Sequence, residues 1–355
     1  MTKRDGVRSI IFLLICLIAF VGLNKSFSLS QSDENRRVLN TFYAEKENSL
    51  DGIYLGSSAA NRFWNAPLAY NETGIAVFDL ATSGQPMVLY KYLIEEAEKT
   101  QDPKVYIMEL REVTESLDKI EEVGIRRATD SMHFNLNRIK AINAAVDYAE
   151  GWDNGVDTEK LNYYFPIIKY HGRWQGGDLT TKDLLQLNRM QETKGFFVSK
   201  ARSLKQEPQK PPVYTTQTEP LYKEAEELLN DLMDYCDTLD AEVLFVFSPY
   251  SEQVAEEVGR INQTVKLVQE RGYEVINFNT KEMNEELGID WSKDCYDPRH
   301  LNMLGSEKYT KYLAEYLAEH YDLPDHRGDK DYESWDEAYD FYAEFEAKNR
   351  GVMQE

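Results

Sequence analysis

Two short stretches, far apart in the chain, carry residue types that together perform nucleophilic chemistry. Gly56-Ser57-Ser58 closes an apolar run, and Asp297-Pro298-Arg299-His300 precedes Leu301-Asn302 and a segment of helical period. An Asp three residues before a His on a loop can fold back to hydrogen-bond Nδ1. Nε2 is then left to take a proton from a serine hydroxyl. Ser58, His300 and Asp297 are therefore the candidate catalytic set. Each also has an ordinary structural reading, since serine favours helix N-caps and aspartate favours turns. Their joint occurrence is a stronger signal than either stretch alone.

The remaining polar candidates are weaker. His171 and Arg173 stand in Tyr170-His171-Gly172-Arg173-Trp174 as possible substrate contacts, although a histidine among aromatics is commonly a packed, hydrogen-bonded one. His133, His320 and His326 read as residues of helices or of the terminal segment. Cys236 and Cys295 can pair in an exported protein or remain buried thiols. Neither dense His/Cys/Asp spacing nor a glycine-rich phosphate loop is present, so no metal or other cofactor is implied.

These residues need a scaffold, and the hydropathy pattern supplies one. Apolar runs at 53–55, 75–80, 105–110, 243–247 and 275–278 alternate with helical periods, the sequence form of an open parallel sheet. Val254, Val258, Ile261, Val265 and Val268 make one helical stripe. Tyr309, Leu313, Tyr316 and Leu317 make the buried face of a last helix starting near Met303. The expected class is α/β: a three-layer, open, mainly parallel sheet flanked by helices, with a helical insertion and an N-terminal membrane segment. Such sheets do their chemistry at the carboxyl ends of the strands, where Ser58 falls.

The sheet domain is expected in two parts, 31–110 and 219–324. Between them, residues 111–218 carry aromatic clusters such as Tyr163-Tyr164-Phe165 and Trp174 and close with Pro208, Pro211 and Pro212. A connection that long needs structure of its own, and it reads as a cap over the sheet. Residues 325–355 are acidic. Trp335, Tyr339, Tyr342 and Glu346 nevertheless recur there at helical spacing, giving a solvated amphipathic helix.

Residues 1–30 are a signal anchor or signal peptide. Lys3, Arg4 and Arg8 precede an uncharged apolar run from Ile10 to Leu23. Ser28-Leu29-Ser30 is a poor cleavage site, so an uncleaved single-pass anchor is favoured over secretion after cleavage. The basic flank stays inside and the rest is exported. The 40 Lys and Arg face 62 Asp and Glu, a net charge of −22 that opposes binding to nucleic acid. With 42% hydrophobic residues the chain folds, and three cysteines are too few for a disulfide framework.

The blocks together resemble the SGNH or GDSL hydrolase superfamily. Its nucleophile follows the first strand in a Gly-Asp-Ser block, and its Asp-x-x-His precedes the final helix. Gly56-Ser57-Ser58 matches with serine in place of aspartate, and Asp297 with His300 matches fully. Asp79-Leu80-Ala81-Thr82-Ser83-Gly84 stands where the family has Asn-x-Gly-x-Ser-Gly, with two substitutions. The resemblance implies an oxyanion hole built from the N–H groups of Ser58 and Gly84. The third block, Gly-x-Asn-Asp, is absent. Glu109-Leu110-Arg111-Glu112 occupies its place, with Arg111 at the asparagine position, where an arginine can donate to an oxyanion or hold an anionic group. Arg111 is equally suited to a structural ion pair with Glu109 or Glu112.

The Gly-Ser-Ser variant, membrane segment and large insertion look like the extracytoplasmic acyl-transfer branch, which includes the D-alanyl transfer protein of lipoteichoic acid synthesis and the alginate acetylation proteins. That likeness implies a serine esterase or O-acyltransferase acting on acyl esters of cell-envelope glycans or polymers. It also implies a membrane-bound O-acyltransferase as partner and a polysaccharide or teichoic-acid-like acceptor. The missing third block supports an alternative, a non-catalytic glycan-binding or scaffold module of such a complex.

Overall fold

Gly52-Ile53-Tyr54-Leu55 and Val105-Tyr106-Ile107-Met108 present almost no polar side chains, which suits strands covered on both faces. In the computed structural model, which describes residues 3–28, 33–116, 119–150, 155–184, 190–251 and 253–353, both segments are buried throughout. The strands are β1 (Gly52–Leu55), β2 (Val77–Asp79), β3 (Val105–Glu109), β4 (Glu242–Phe247) and β5 (Glu274–Asn277). They form one parallel sheet in the order β2-β1-β3-β4-β5. Ile53 pairs with Phe78 on one side and Tyr106 on the other, which aligns the carboxyl ends of β1, β2 and β3.

Helices cover both faces. α1 (Lys3–Ser26) meets the body only through the helical turns Pro166–Tyr170 and Thr181–Leu184 among the stronger helix contacts of the described residues, and α2 (Asn35–Phe42) leads into the sheet. A short α3 (Ser58–Asn61) and α4 (Ala66–Thr73) follow β1, α5 (Tyr90–Ala97) follows β2, and α6 (Glu122–Thr129) and α7 (Leu136–Glu150) follow β3. Short turns of helix come next: α8 (Leu161–Tyr164), α9 (Pro166–Tyr170), α10 (Arg173–Gly176), α11 (Thr181–Leu184) and α12 (Lys200–Ser203). α13 (Lys223–Cys236) precedes β4, and α14 (Ala255–Glu270) connects it to β5. The chain ends with α15 (Lys281–Leu287), a hairpin of β6 (Cys295–Asp297) and β7 (His300–Leu301), α16 (Met303–His320) and α17 (Glu333–Asn349). α4, α16 and α17 pack together, as do α5, α7 and α13. Inside, Tyr54 and Tyr309 share a hydroxyl hydrogen bond of 2.7 Å, and Trp64 Nε1 donates to the Val77 carbonyl at 3.1 Å.

The segment 111–218 is more than a cap. Ala141, Ile142, Ala145, Val146 and Ala149 recur on one face of α7 and are buried in the main core, so this helix belongs to the layer that α5 and α13 form. The terminal segment is likewise part of the body rather than solvated. Trp335, Ala338 and Tyr342 of α17 are buried, the helix packs on α4, and Tyr342 donates to Glu307 at 2.9 Å. Cys236 and Cys295 are buried free thiols and do not pair. Burial pushes each up to about 12.

α1 has a mean hydropathy of 2.5 over its apolar window, and none of that window is buried. Its 24 residues span about 36 Å at about 1.5 Å per residue, enough for a hydrocarbon core of about 30 Å. The helix supports membrane anchoring. Leu29 and Ser30 of the candidate cleavage site lie outside the described residues.

Candidate active site

β1 must stop abruptly for Ser58 to reach the sheet edge, and Gly56 makes this possible. A Cβ there would lie 2.5 Å from the Ala60 Cβ and 3.1 Å from the Glu109 Cβ, so only glycine lets α3 start so close to the sheet. Ser58 is the first residue of α3, and its N–H is one of those a helix start leaves without an intrahelical acceptor.

The partner groups arrive on the β6–β7 hairpin, whose strands of three and two residues are too short to carry a period in the sequence. His300 Nε2 lies 2.7 Å from Ser58 Oγ. On its other side, His300 Nδ1 lies 2.9 and 3.0 Å from the two carboxylate oxygens of Asp297. A carboxylate only accepts, so Nδ1 carries the proton and the neutral ring presents Nε2 as acceptor to the serine hydroxyl. The Tyr296 ring stacks on His300 at 5.2 Å and 4°, and Phe63 meets it edge-on at 6.5 Å. The Arg299 N–H donates to Asp297 Oδ1 at 2.8 Å, and Ser251 Oγ donates to the Pro298 carbonyl at 2.9 Å. Asn302 caps α16 through the Leu304 and Gly305 N–H groups, so the helix start and the hairpin are fixed by the same residue.

Burial holds His300 down to about 4; Asp297 opposes this, while Arg111 and Arg62 add to it. The imidazole is therefore neutral near pH 7, the state a general base requires. Burial would raise Asp297, but its bond to His300, the charge of that ring and two backbone N–H groups outweigh burial and keep it below the usual carboxylate range.

Ser58 and His300 open into a cleft of about 260 Å³ that Gly84, Arg111, Arg299 and Glu112 also line. Gly84 follows β2 with φ of +74°, a backbone conformation that favours glycine. Gly124 of α6 packs on it so closely that a Cβ at 124 would overlap the Gly84 carbonyl oxygen. Among the described residues, the N–H groups of Ser58 and Gly84 have no acceptor. Arg111 follows β3. It is buried, its guanidinium lies over the Tyr250 ring at 4.2 Å, and Nη1 donates to the Arg299 carbonyl at 2.9 Å. Its Nε and Nη2 are buried without a hydrogen-bond partner among the described residues. Glu109, read as a possible ion partner, is 4.0 Å from Nε and accepts from the Arg111 backbone at 3.1 Å instead. Burial lifts Glu112 to about 8; its Oε2 accepts from the Met87 N–H at 2.8 Å.

His171 and Arg173 are not in this cleft. Arg173 reaches the Ser28 carbonyl at 2.8 Å and Asp183 at 3.1 Å, and His171 Nδ1 sits 2.8 Å from the Ile168 carbonyl, all beside the end of α1. They are not the substrate contacts that the sequence allows; the contacts tie the insertion to the anchor. The other histidines serve packing. His133 stacks on Tyr43, His320 on Tyr316, and His326 bonds Asp51 at 3.0 Å. Among the described residues no group of three His, Cys, Asp or Glu side chains is placed to hold a metal ion.

In a sheet ordered β2-β1-β3-β4-β5, the connections leave β1 and β3 toward opposite faces, which opens a crevice at their carboxyl ends. Ser58 follows the first of these strands and Arg111 the second, so the cleft lies where this topology puts ligands. The α/β scaffold is consistent with a generic SGNH-like architecture and compatible with a hydrolase or acyltransferase. No family model matches the chain, and no curated protein matches its sequence. The sequence reading missed Tyr296, Arg299 and Gly124. Tyr296 and Arg299 flank Asp297 and His300 directly, a proximity that gave a usable signal, whereas nothing local marks Gly124 as the partner of Gly84.

Proposed function

We propose that the protein is a membrane-anchored, exported serine esterase or O-acyltransferase of the SGNH type, acting on acyl esters of cell-envelope glycans or polymers. The observation that carries this reading is the 2.7 Å contact between Ser58 Oγ and a neutral His300 whose other nitrogen bonds Asp297. Ser58 Oγ attacks the acyl carbonyl while His300 Nε2 takes the hydroxyl proton, and Asp297 steadies the imidazolium. Negative charge gathers on the carbonyl oxygen, facing the N–H groups of Ser58 and Gly84, with Arg111 as a further donor. The acyl–oxygen bond of the donor then breaks, and His300 returns the proton to the leaving alkoxide. A water or acceptor hydroxyl repeats the sequence in reverse, giving hydrolysis or transfer. Arg111 standing in for the usual asparagine favours substrates with an anionic group near the reacting ester. A membrane-bound O-acyltransferase is the fitting partner and a cell-envelope polymer the fitting acceptor.

The test is to treat the full chain in detergent with a fluorophosphonate and locate the adduct by peptide mass spectrometry. Labelling of Ser58 that disappears in Ser58→Ala and His300→Ala, with circular dichroism unchanged, is the expected result. A folded protein that resists labelling would replace this reading with the non-catalytic glycan-binding module.

A further inference from the structure

Large apolar side chains are exposed on the insertion at Phe134, Ile168, Trp174 and Leu184, at 61%, 46%, 65% and 53% of their full accessibility. They are not scattered. α9 and α11 both pack against α1. Phe165, just before α9, meets Phe20 of α1 at 5.6 Å and Phe134 at 6.2 Å. The Ile167 N–H donates to Asn24 Oδ1 at 3.2 Å, and Arg173 fastens the turn before Trp174 to Ser28 and Asp183. The segments bearing these apolar groups thus surround the C-terminal end of the anchor. Phe20 lies six residues before Ser26, about 9 Å back along the helix, and within the apolar run that ends at Leu23. Anything packed level with Phe20 is at the depth of the lipid headgroups and upper acyl chains.

We infer that Phe134, Ile168, Trp174 and Leu184 form an apolar collar that enters the outer face of the bilayer around α1. The occupant of this surface is lipid. The patch is continuous with a helix whose own apolar side chains require lipid, and tryptophan at such a level is the residue type that favours the membrane–water boundary. The collar makes the contact more than a single tether. A lone helix lets the body tumble, whereas a helix with an embedded rim fixes its tilt and height. α6 joins the two sites: Glu121, at its start, lines the Ser58 cleft, and Asp130, just past its end, lines a second cleft that Phe20 shares. Its eight residues span about 12 Å, so the Ser58 cleft is held close above the headgroups. This inference depends on the anchor and not on the chemistry at Ser58.

Trp174 is its own reporter. The full chain and its Trp174→Phe variant would be reconstituted in phosphatidylcholine vesicles containing lipid brominated high on the acyl chains. The difference in emission between the two proteins isolates Trp174 from the other tryptophans. Loss of most of that difference emission to bromine, with little loss to aqueous iodide, is the expected result. Quenching by iodide and not by bromine would place Trp174 in water and overturn the collar. Protection from both quenchers would overturn it too, since a second copy or another protein would then cover the surface. Ile168→Glu supplies a second reading: the Trp174 emission should shift to the red in vesicles, and an unchanged emission there from a folded protein would overturn lipid as the occupant.

Discussion

Gly124 of α6 and Gly84 of the β2 loop touch backbone to backbone, with no room for a methyl group between them. Gly84 lines the Ser58 cleft, so α6 sets the position of an N–H that the proposed reaction uses. Gly124→Ala must push Gly84 away, and we expect kcat to fall about tenfold or more while KM changes little. Gly172→Ala is the control, since a Cβ there meets nothing within 4 Å and its φ of −70° is ordinary. Steady-state kinetics on a chromogenic ester, with thermal melts of both variants, separates loss of geometry from loss of fold.

Asp297→Asn tests the tautomer. An amide can donate to Nδ1, which turns the proton onto Nε2 and leaves Ser58 facing a donor rather than an acceptor. Fluorophosphonate labelling should slow by roughly 10³–10⁴-fold, and in residual ester turnover the Ser58→Ala/Asp297→Asn double variant should be little slower than Ser58→Ala alone. Additive losses would argue that the two side chains act separately.

The pH profile follows from His300. Burial lowers it to about 4, so the base is half neutral at that pH, nearly all neutral about 1.5 units above it and protonated below it. Activity or labelling rate should therefore be level from about pH 5.5 to 8 and fall on an acid limb centred near 4. The same depression has a stability sign. Between about 4 and the ordinary histidine value of 6.5, the unfolded chain binds the proton and the folded one does not, so this group's contribution to stability rises with pH across that window. His300→Asn should flatten that part of a denaturation-midpoint profile.

Asp79 makes the opposite prediction. It is fully buried at the end of β2, and burial outweighs the Ala81 backbone N–H that favours its charged form, pushing its pKa well above 3.8. Its contribution to stability is whole below the unfolded value and is lost as pH rises toward the folded one. Asp79→Asn, which keeps the shape and cannot ionise, should raise the urea midpoint at pH 7 and leave it unchanged near pH 3.5. A lower midpoint at pH 7 would mean that the ionised carboxylate is used.

Arg111→Lys keeps a positive charge but removes the planar fork over Tyr250 and the bond to the Arg299 carbonyl. Loss of about 10²-fold in kcat/KM is expected if the guanidinium faces the developing charge. Parallel measurement on a neutral ester and on one with an adjacent phosphate distinguishes the two uses of Arg111, since an anion anchor penalises only the second.

Much of the molecule was legible because its signals are local. Buried parallel strands read as short apolar runs, and the Asp297-to-His300 spacing within one turn announced a pair before Ser58 was located in space. What escaped depends on distant partners. The five small or apolar residues of α7 that enter the core read as part of an insertion, because an alanine-rich stripe looks alike on a cap and in a layer. Trp335 and Tyr342 read as the face of a solvated helix, because acidic neighbours dominated the composition while α4 was the deciding partner. His171 and Arg173 stood as possible substrate contacts, since sequence cannot tell polar side chains that meet a substrate from those that gather at the foot of an anchor.

The distance along the chain between Ser58 and His300, 242 residues, has a consequence for the life of the protein before it is finished. A chain is made from its N-terminus at about 5–20 residues per second, so Ser58 emerges roughly 12–50 s before the imidazole it comes to lie against. The sheet cannot close sooner, because β4 begins at residue 242 and must pair with β3, which ends at 109. Throughout that interval Ser58 is an ordinary alcohol, as inert as any exposed serine. On the proposed chemistry, reactivity switches on only when the His300 hairpin has docked, so a nascent or truncated chain carries no activated serine.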